Sequence, residues 1–472
     1  NFQFQWNSKQ CRSAVCFDEA SKSIMGKRVL IVALSVIMMG VLFWLLMAAA
    51  YAIPSTQLTT HANQSRAMLK QEGVLWMQNA ALTSGAHYDN YTTYHMINIA
   101  VQATEDPLRD AVAAKEYQGS NPDEGLMHAI AGESNAAYQR YWHGYVTFLR
   151  PLLVFFDVKQ IRLICQTVFF VLLTAVVARL TVRMRMGGGI LSLILTGSLC
   201  ILGAAQAAET LPFFSSFAIS LVASLVVISL SRRPFSCTSS GVWSESFVLF
   251  LTFGATGALT VFFDFLDNPI LSFCIPACIY FCCIRDRLTL RRVIGLLAAM
   301  GLGWCFGYAA LWVFKWVVTA FISGDDVLGR ALEQAFILTG GVEREGVEGG
   351  ALQAIKANIK PLGFMKEVLF ASLIGALVCV ISSAIRYLHT KDDKIKTLLL
   401  ASAALLVIGF IPYLWYAVLS DHSIMHAGLM TYRDQIGALF PWLAIVALTV
   451  LVAYQKRKGA KEIDESSRSF LD

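Results

Sequence analysis

Apolar residues in this chain come in long unbroken runs, not in the alternation of a half-buried strand or the single stripe of a surface helix. The runs lie at 29–53, 161–180, 190–208, 214–230, 247–263, 270–284, 293–316, 368–385, 398–419 and 436–454. A helix needs roughly 20 such residues to cross the ~30 Å of hydrocarbon in a bilayer. The pattern therefore predicts an all-α polytopic membrane protein of about ten transmembrane helices. It also divides the chain. Residues 1–28 form an amino-terminal segment, 29–53 the first transmembrane helix, and 54–160 a polar insert. Residues 161–455 hold helices two to ten, with a second insert at 318–366, and 456–472 form a tail. The first apolar run is too long for the core of a cleaved signal peptide. Met25-Gly26-Lys27-Arg28 reads as a natural start, so residues 1–24 are set aside as an upstream extension or added sequence.

Composition agrees with the pattern. Of the 472 residues 56% are hydrophobic and only 15% charged, with a mean hydropathy of +0.58, whereas soluble domains carry about a quarter charged residues. The net charge of +6 does not point to nucleic acid, because the basic residues sit at the ends of the apolar runs and form no single stripe. There they set orientation. With the amino terminus in the cytoplasm, the inside segments hold most of the basic residues, and the three short outside loops hold only Arg433. The expected topology has both termini cytoplasmic and both inserts external. Cys274, Cys278 and Cys282 repeat every four residues and read as a packed helical face, since buried free cysteine behaves as a small hydrophobe. The first insert has no cysteine.

That insert is the candidate seat of function. It carries Trp76, Trp142 and Tyr88, Tyr91, Tyr94, Tyr117, Tyr138, Tyr141 and Tyr145, too many aromatic residues for a solvated tether. Asp89 stands among aromatics and amides in His87-Tyr88-Asp89-Asn90-Tyr91, and Arg140, His143 and Arg150 lie near the insert's end. Asp264 and Asp267 follow the fifth run, and Asp421, His422, His426 and Arg433 fall in the last outer loop. In the second insert, Gly340-Gly341-Val342-Glu343-Arg344-Glu345-Gly346 lacks the Lys and the spacing of a phosphate loop and reads as a mobile loop. No internal repeat is evident, and most ionisable groups lie at span ends, which weakens ion-coupled transport.

Each of these residues has a bland reading beside the chemical one. Asp89 suits a turn, and His143 an interfacial anchor. Asp264 and Asp267 could satisfy a helix start. Arg433 could bind a phosphate through its planar fork, or pair with Asp434 or lipid headgroups. His422 and His426, four apart, could hold a phosphate, hydrogen-bond, or join Asp421 at a divalent metal, for which no third ligand is identifiable. One reaction uses the whole set: sugar transfer from a lipid phosphate. A carboxylate orients or deprotonates the acceptor hydroxyl, cationic and hydrogen-bonding groups hold the departing phosphate, and the sugar carbon gains positive character between them.

A large external loop directly after the first span, bearing an acidic residue and followed by many spans, resembles the GT-C superfamily of polytopic glycosyltransferases. Locally, Asp89-Asn90-Tyr91-Thr92, Arg140-Tyr141-Trp142-His143-Gly144-Tyr145, Leu149-Arg150-Pro151 and His422-Ser423-Ile424-Met425-His426 with Thr431-Tyr432-Arg433 are similar to bacterial membrane proteins of that type. The resemblance implies a polyprenyl-phosphate sugar donor and an inverting displacement. It implies a bacterial plasma membrane, Asp89 as the catalytic carboxylate and Arg433 at the donor phosphate; the residues themselves add His426, His422, Arg140, His143 and Arg150 around that phosphate. Asp264 and Asp267 are further site carboxylates. No cofactor is firmly implied, and a divalent metal is optional. Membrane lipids and a polysaccharide, glycolipid or protein acceptor are the expected partners, and nucleic acid is not. The chain lacks the Trp-Trp-Asp signature of oligosaccharyltransferases and an acidic pair at Asp89. The rival class is a lipid or glycolipid flippase without transfer chemistry.

Overall fold

The computed structural model describes residues 8–77, 87–233, 242–340 and 349–469. A first helix, α1 (Ser8–Tyr51), leads into the insert, which folds into α2 (Thr59–Glu72), α3 (Asn90–Val101), α4 (Pro107–Ala113), α5 (Pro122–Ile130) and α6 (Val146–Leu153). Two short antiparallel strand pairs brace it, β1 (Leu75–Met77) with β2 (His87–Asp89) and β3 (Lys115–Glu116) with β4 (Ala136–Ala137). Next come α7 (Val158–Met184), α8 (Met186–Ile201), α9 (Ala204–Ala207), α10 (Leu211–Leu230), α11 (Glu245–Phe263), α12 (Leu271–Ile284) and α13 (Leu290–Ser323). The remainder is α14 (Val327–Leu338), α15 (Ala351–Ile359), α16 (Met365–Thr390), α17 (Asp393–Val418), α18 (Ser420–Met425) and α19 (Ile436–Ser469).

Among the described residues, eight helical stretches are long and apolar enough to cross a membrane, by length and composition: Ser23–Tyr51, α7, α10, α11, α13, α16, α17 and Thr431–Lys458. The protein is an all-α, multi-pass membrane protein. Exposed Met38, Val171, Leu302, Ile374 and Val450 give these helices an apolar outer surface, a liability in water that lipid removes. Two of the ten runs make shorter helices. The run at 190–208 yields the 16 residues of α8, and the chain then turns at Gly203 with φ of 71° into α9. The run at 270–284 yields the 14 residues of α12, about 21 Å at 1.5 Å per residue. Every residue of α12 is buried, so protein surrounds it and bilayer thickness does not set its length. The cysteines Cys274, Cys278 and Cys282 on it are free and buried.

Polar contacts sort the helix ends into two groups. At one end, Arg183 of α7 donates to the carbonyls of Ser231 (3.3 Å) and Cys283 (3.1 Å), and Arg287 donates to Ser231 O (2.7 Å). There too Arg292 of α13 grips Glu245 of α11 at 2.6 and 2.9 Å. At the other end the insert meets the connections after α11 and α17. The Gly144 amide donates to Phe262 O (2.8 Å), and Asn268 donates to Met430 O (3.1 Å). A Cβ at Gly144 would collide with Phe262 O, so only glycine permits this approach. Helices α11 and α13 touch backbone to backbone, since a Cβ at Gly307 would run into Gly254 O. Small residues allow such contact within a membrane.

The insert is fastened to α13 by donors reaching out of that helix. Trp312 and Trp316 donate to Arg140 O at 2.7 and 2.9 Å, Trp142 donates back to Leu311 O (2.8 Å), and Lys315 donates to Val112 O (2.7 Å). Helix α13 runs on to Ser323, past the start of the second insert at 318. Beyond Ser323 the insert holds the helices α14 and α15. Residues 341–348, which include most of the glycine-rich stretch, lie outside the described residues.

Candidate functional site

Where insert and helices meet there is a cavity of about 600 Å³. Its wall begins with Asp89, which closes β2 and caps α3. Thr92 donates to it twice, from its amide to Oδ1 (2.8 Å) and from its hydroxyl to Oδ2 (2.5 Å). Aspartate is among the preferred N-caps because its carboxylate satisfies amides that the first helical turn leaves unpaired. Both readings of Asp89 therefore hold together: it is a capping residue, and it lines the cavity. Arg162 secures the same helix start, donating to Asn90 Oδ1 (2.7 Å) while bridging to Glu72 (2.9 Å). Burial pushes the Asp89 carboxyl up, and the Thr92 hydrogen bonds and the electrostatic fields of His95 and Arg433 partly offset it.

The connection between α11 and α12 supplies Asp267 and Phe265. Asp267 is buried, and its Oδ2 has no hydrogen-bond partner among the described residues. Burial drives its carboxyl well above the usual range, and the neighbouring carboxylates of Asp264, Asp89 and Asp434 drive it further, against Arg433. This connection turns through Leu266 at φ of 69°, a conformation non-glycine residues adopt at a cost and keep mainly at functional sites. The strain aims the Leu266 carbonyl at His422, whose Nε2 donates to it at 2.9 Å. That fixes the tautomer and leaves Nδ1 as the acceptor. The His426 ring stands 4.7 Å from that of His422, and both line the cavity. Burial, with His426 beside it, pushes His422 down to about 4, and burial lowers His426. Near neutral pH both are uncharged hydrogen-bonding groups.

Arg140 is the cation of the lining. Its guanidinium lies over the rings of Tyr138 (4.6 Å) and Tyr141 (5.7 Å), and its Nε has no hydrogen-bond partner among the described residues. Asp89, Arg140, Asp267, His422 and His426 thus come together from four separate parts of the chain.

Four expected site residues fall elsewhere. Arg150 is wholly buried and spends its guanidinium on main-chain carbonyls, those of Ala50 (3.0 Å), Ala100 and Ile53. It clamps the ends of α1 and α3 and has no room for a phosphate. His143 is buried, with φ of 57°, donating to Tyr138 O (2.7 Å) and accepting from the Tyr145 hydroxyl (3.2 Å). Burial pushes it down to about 3, so it braces the turn as a neutral ring. Asp264 caps the end of α11 and accepts from Ser216 at 2.5 Å, and burial raises its carboxyl to about 6. Arg433 is buried behind the lining, one turn beyond Leu429, to whose carbonyl it donates. Its guanidinium lies over Phe213 (4.9 Å) and Tyr432 (4.7 Å), with no carboxylate within 4.0 Å among the described residues. It reaches Asp89 and Asp267 through its field and makes no contact with the cavity. Among the described residues, no group of three His, Cys, Asp or Glu side chains stands where it could hold a metal.

The sequence reading missed His95, Glu116 and Gln118, which also line the cavity. A signal existed for His95. Tyr91, His95 and Asn98 share one face of α3 at helical spacing, on the same helix as Asp89. Burial pushes the Glu116 carboxyl up, but hydrogen bonds from His95 and Gln118 outweigh it and hold the group below the ordinary carboxylate range. Comparison with protein-family models, curated proteins and solved structures finds no match to this chain.

Proposed function

We propose that this protein is a GT-C-like glycosyltransferase that moves a sugar from a polyprenyl-phosphate donor to an acceptor hydroxyl, with inversion, on the outer face of a bacterial plasma membrane. In this reading ten helices cross the bilayer, α12 inside a jacket of protein, and the arginine-rich ends face the cytoplasm. The observation that carries the reading is the convergence of Asp89, Asp267, Arg140, His422 and His426 on one cavity between the polar insert and the apolar helices.

The division of labour follows from the chemistry of these groups. Arg140 supplies the fork that matches a phosphate, the neutral imidazole of His426 donates to its oxygens or to the sugar, and His422, whose N–H is held by Leu266 O, accepts from a sugar hydroxyl through Nδ1. Asp89 orients the acceptor hydroxyl and stabilises the positive character of the sugar carbon. Asp267, which burial favours in its protonated form, donates a hydrogen bond to the sugar. Arg433, buried behind the wall, adds positive potential where the phosphate departs. The ionisable residues gather at the two ends of the helices, which favours this reading over a flippase with a polar path at mid-depth.

The test is direct. Full-length protein in lipid nanodiscs, given radiolabelled polyprenyl-phosphate sugars and a panel of envelope acceptors, is expected to release polyprenyl phosphate and label an acceptor. Absence of both products across the panel, with donor binding demonstrated, refutes the proposal.

A further inference from the structure

Beside the first cavity, in the insert, lies a second one of about 380 Å³. The two share Tyr91, His95 and Gln118 in their linings, so a ligand in one can reach the other past His95. The second cavity adds Asn98, Tyr117 and Asn121 and has no Lys, Arg, Asp or Glu in its lining. We infer that it is the acceptor subsite for a neutral saccharide, and that His95, backed by Glu116, receives the proton of the attacking hydroxyl. The proton step rests on the glycosyl-transfer reading, whereas the saccharide site does not.

Chemistry selects the ligand class. An anion would find no cation here, and a purely apolar group would strip water from amides without replacing its hydrogen bonds. A sugar offers C–H faces to the tyrosine rings and hydroxyls to the amides. The charged groups are confined to the first cavity, which suits a phosphate there and a polyol here.

His95 stands at the junction. Its Nδ1 lies 3.3 Å from Glu116 Oε2, and the other carboxylate oxygen of Glu116 accepts from Gln118 at 2.7 Å. A carboxylate on Nδ1 holds the proton there and leaves the Nε2 lone pair to act as base. Among the described residues Nε2 has no partner, and the Tyr91 ring rests 4.8 Å away. Asp89 is less free, since both its oxygens already accept from Thr92. In the step, the acceptor oxygen bonds to the anomeric carbon as the bond from that carbon to the phosphate oxygen breaks. The electron pair leaves with polyprenyl phosphate, and the hydroxyl proton passes to Nε2, giving an imidazolium that faces Glu116.

Two arms test this on the full chain in nanodiscs. In the first, saturation-transfer NMR follows the methyl glycosides of glucose, galactose, mannose and N-acetylglucosamine, with inorganic phosphate as competitor. Binding that phosphate does not displace, and that Tyr91→Ala and Gln118→Ala each weaken by about tenfold, supports the subsite. Binding by none of the four, or binding untouched by both variants, overturns it. In the second arm, His95→Gln is expected to lower kcat for transfer by about 100-fold or more, at little-changed acceptor KM. Full turnover in His95→Gln overturns the base assignment while leaving transfer itself intact. The ionisable groups facing His95 are Glu116 from β3 and Asp89 at the start of α3. Glu116→Gln removes the carboxylate that holds the Nδ1 proton and is expected to lower kcat by about tenfold at unchanged acceptor KM. Full kcat in Glu116→Gln overturns the positioning role. A wild-type protein that binds glycosides and donor but transfers nothing defeats the transfer reading and the proton step, and the glycoside arm still decides the cavity.

Discussion

The two ends of the helical body treat their buried charges in opposite ways. At the arginine-rich end guanidinium groups are spent on structure. Arg183 and Arg287 finish the carbonyls of Ser231 and Cys283, and Arg292 and Tyr280 both engage Glu245. That end also has a cavity, of about 640 Å³, whose lining holds two ion pairs, Lys456 with Asp392 at 3.3 Å and Arg285 with Asp286 at 2.9 Å, although Arg285 Nη1 has no partner among the described residues. At the insert end, Asp264 Oδ2, Asp267 Oδ2, Asn268 Oδ1, Asp434 Oδ2, Arg140 Nε and Arg433 Nε all lack partners among the described residues. Leaving one such group unpaired costs roughly 1–3 kcal/mol. Two of them, Asp267 Oδ2 and Arg140 Nε, belong to residues that line the cavity, where a bound ligand would complete them. Cavity size does not separate the two ends; the gathering of unpartnered buried carboxylate oxygens among the described residues does.

The comparison is most easily broken with a buried arginine of the structural kind. Arg150→Met should remove donors from the carbonyls of Ala50, Ala100 and Ile53, at ~1–3 kcal/mol for each left unpaired. Thermal melts should show a destabilised insert, and a variant as stable as wild type would mean that Arg150 is no clamp. The next largest effect is Asp89→Asn. Asparagine caps a helix as well as aspartate does, so melting should be unchanged while transfer falls by about 100-fold or more, the usual contribution of a positioned carboxylate. Arg140→Gln should weaken polyprenyl-phosphate binding by roughly tenfold to a hundredfold, the worth of a charge-assisted hydrogen bond, with little change in melting.

A smaller effect concerns acid. His422 titrates at about 4 in the fold against an ordinary 6.5, so the folded protein binds fewer protons than the unfolded chain between those values. Its contribution is fully present above pH 6.5 and is lost as pH falls towards 4. Asp264, raised to about 6 from 3.8, works in the opposite direction over a similar window. Melts across this range should therefore show His422→Gln losing less stability on acidification than wild type. The smallest effect is expected at the far end: Lys456→Gln removes an exposed ion pair and should change stability by no more than about 0.5 kcal/mol.

Much of this was legible in the sequence because hydropathy and charge are read locally. The run lengths gave the helical class, and the basic residues between runs gave the sorting of ends that Arg183, Arg287 and Arg292 display. Asp267, His422 and His426 were readable as a set because they lie beside span ends on one side, and Asp89 joined them because it falls in the aromatic insert expected on that side. The roles of Arg150 and Arg433 were not readable. Whether a guanidinium meets a ligand or a carbonyl depends on which backbone comes to face it, and Ala50 and Ala100 are distant in the chain from Arg150. Nor does run length alone show that a short helix is enclosed by protein, as α12 is. His95 escaped notice because its partner Glu116 lies on a strand 21 residues on, with no motif joining them.

The most direct measurement is a structure of the full chain in lipid, determined with a polyprenyl monophosphate. The phosphate is expected in the cavity below Asp89, within hydrogen-bonding distance of Arg140, with its prenyl chain leaving between apolar helices. A phosphate bound instead among the arginines of the opposite end, with the Asp89 cavity unchanged, would contradict the account.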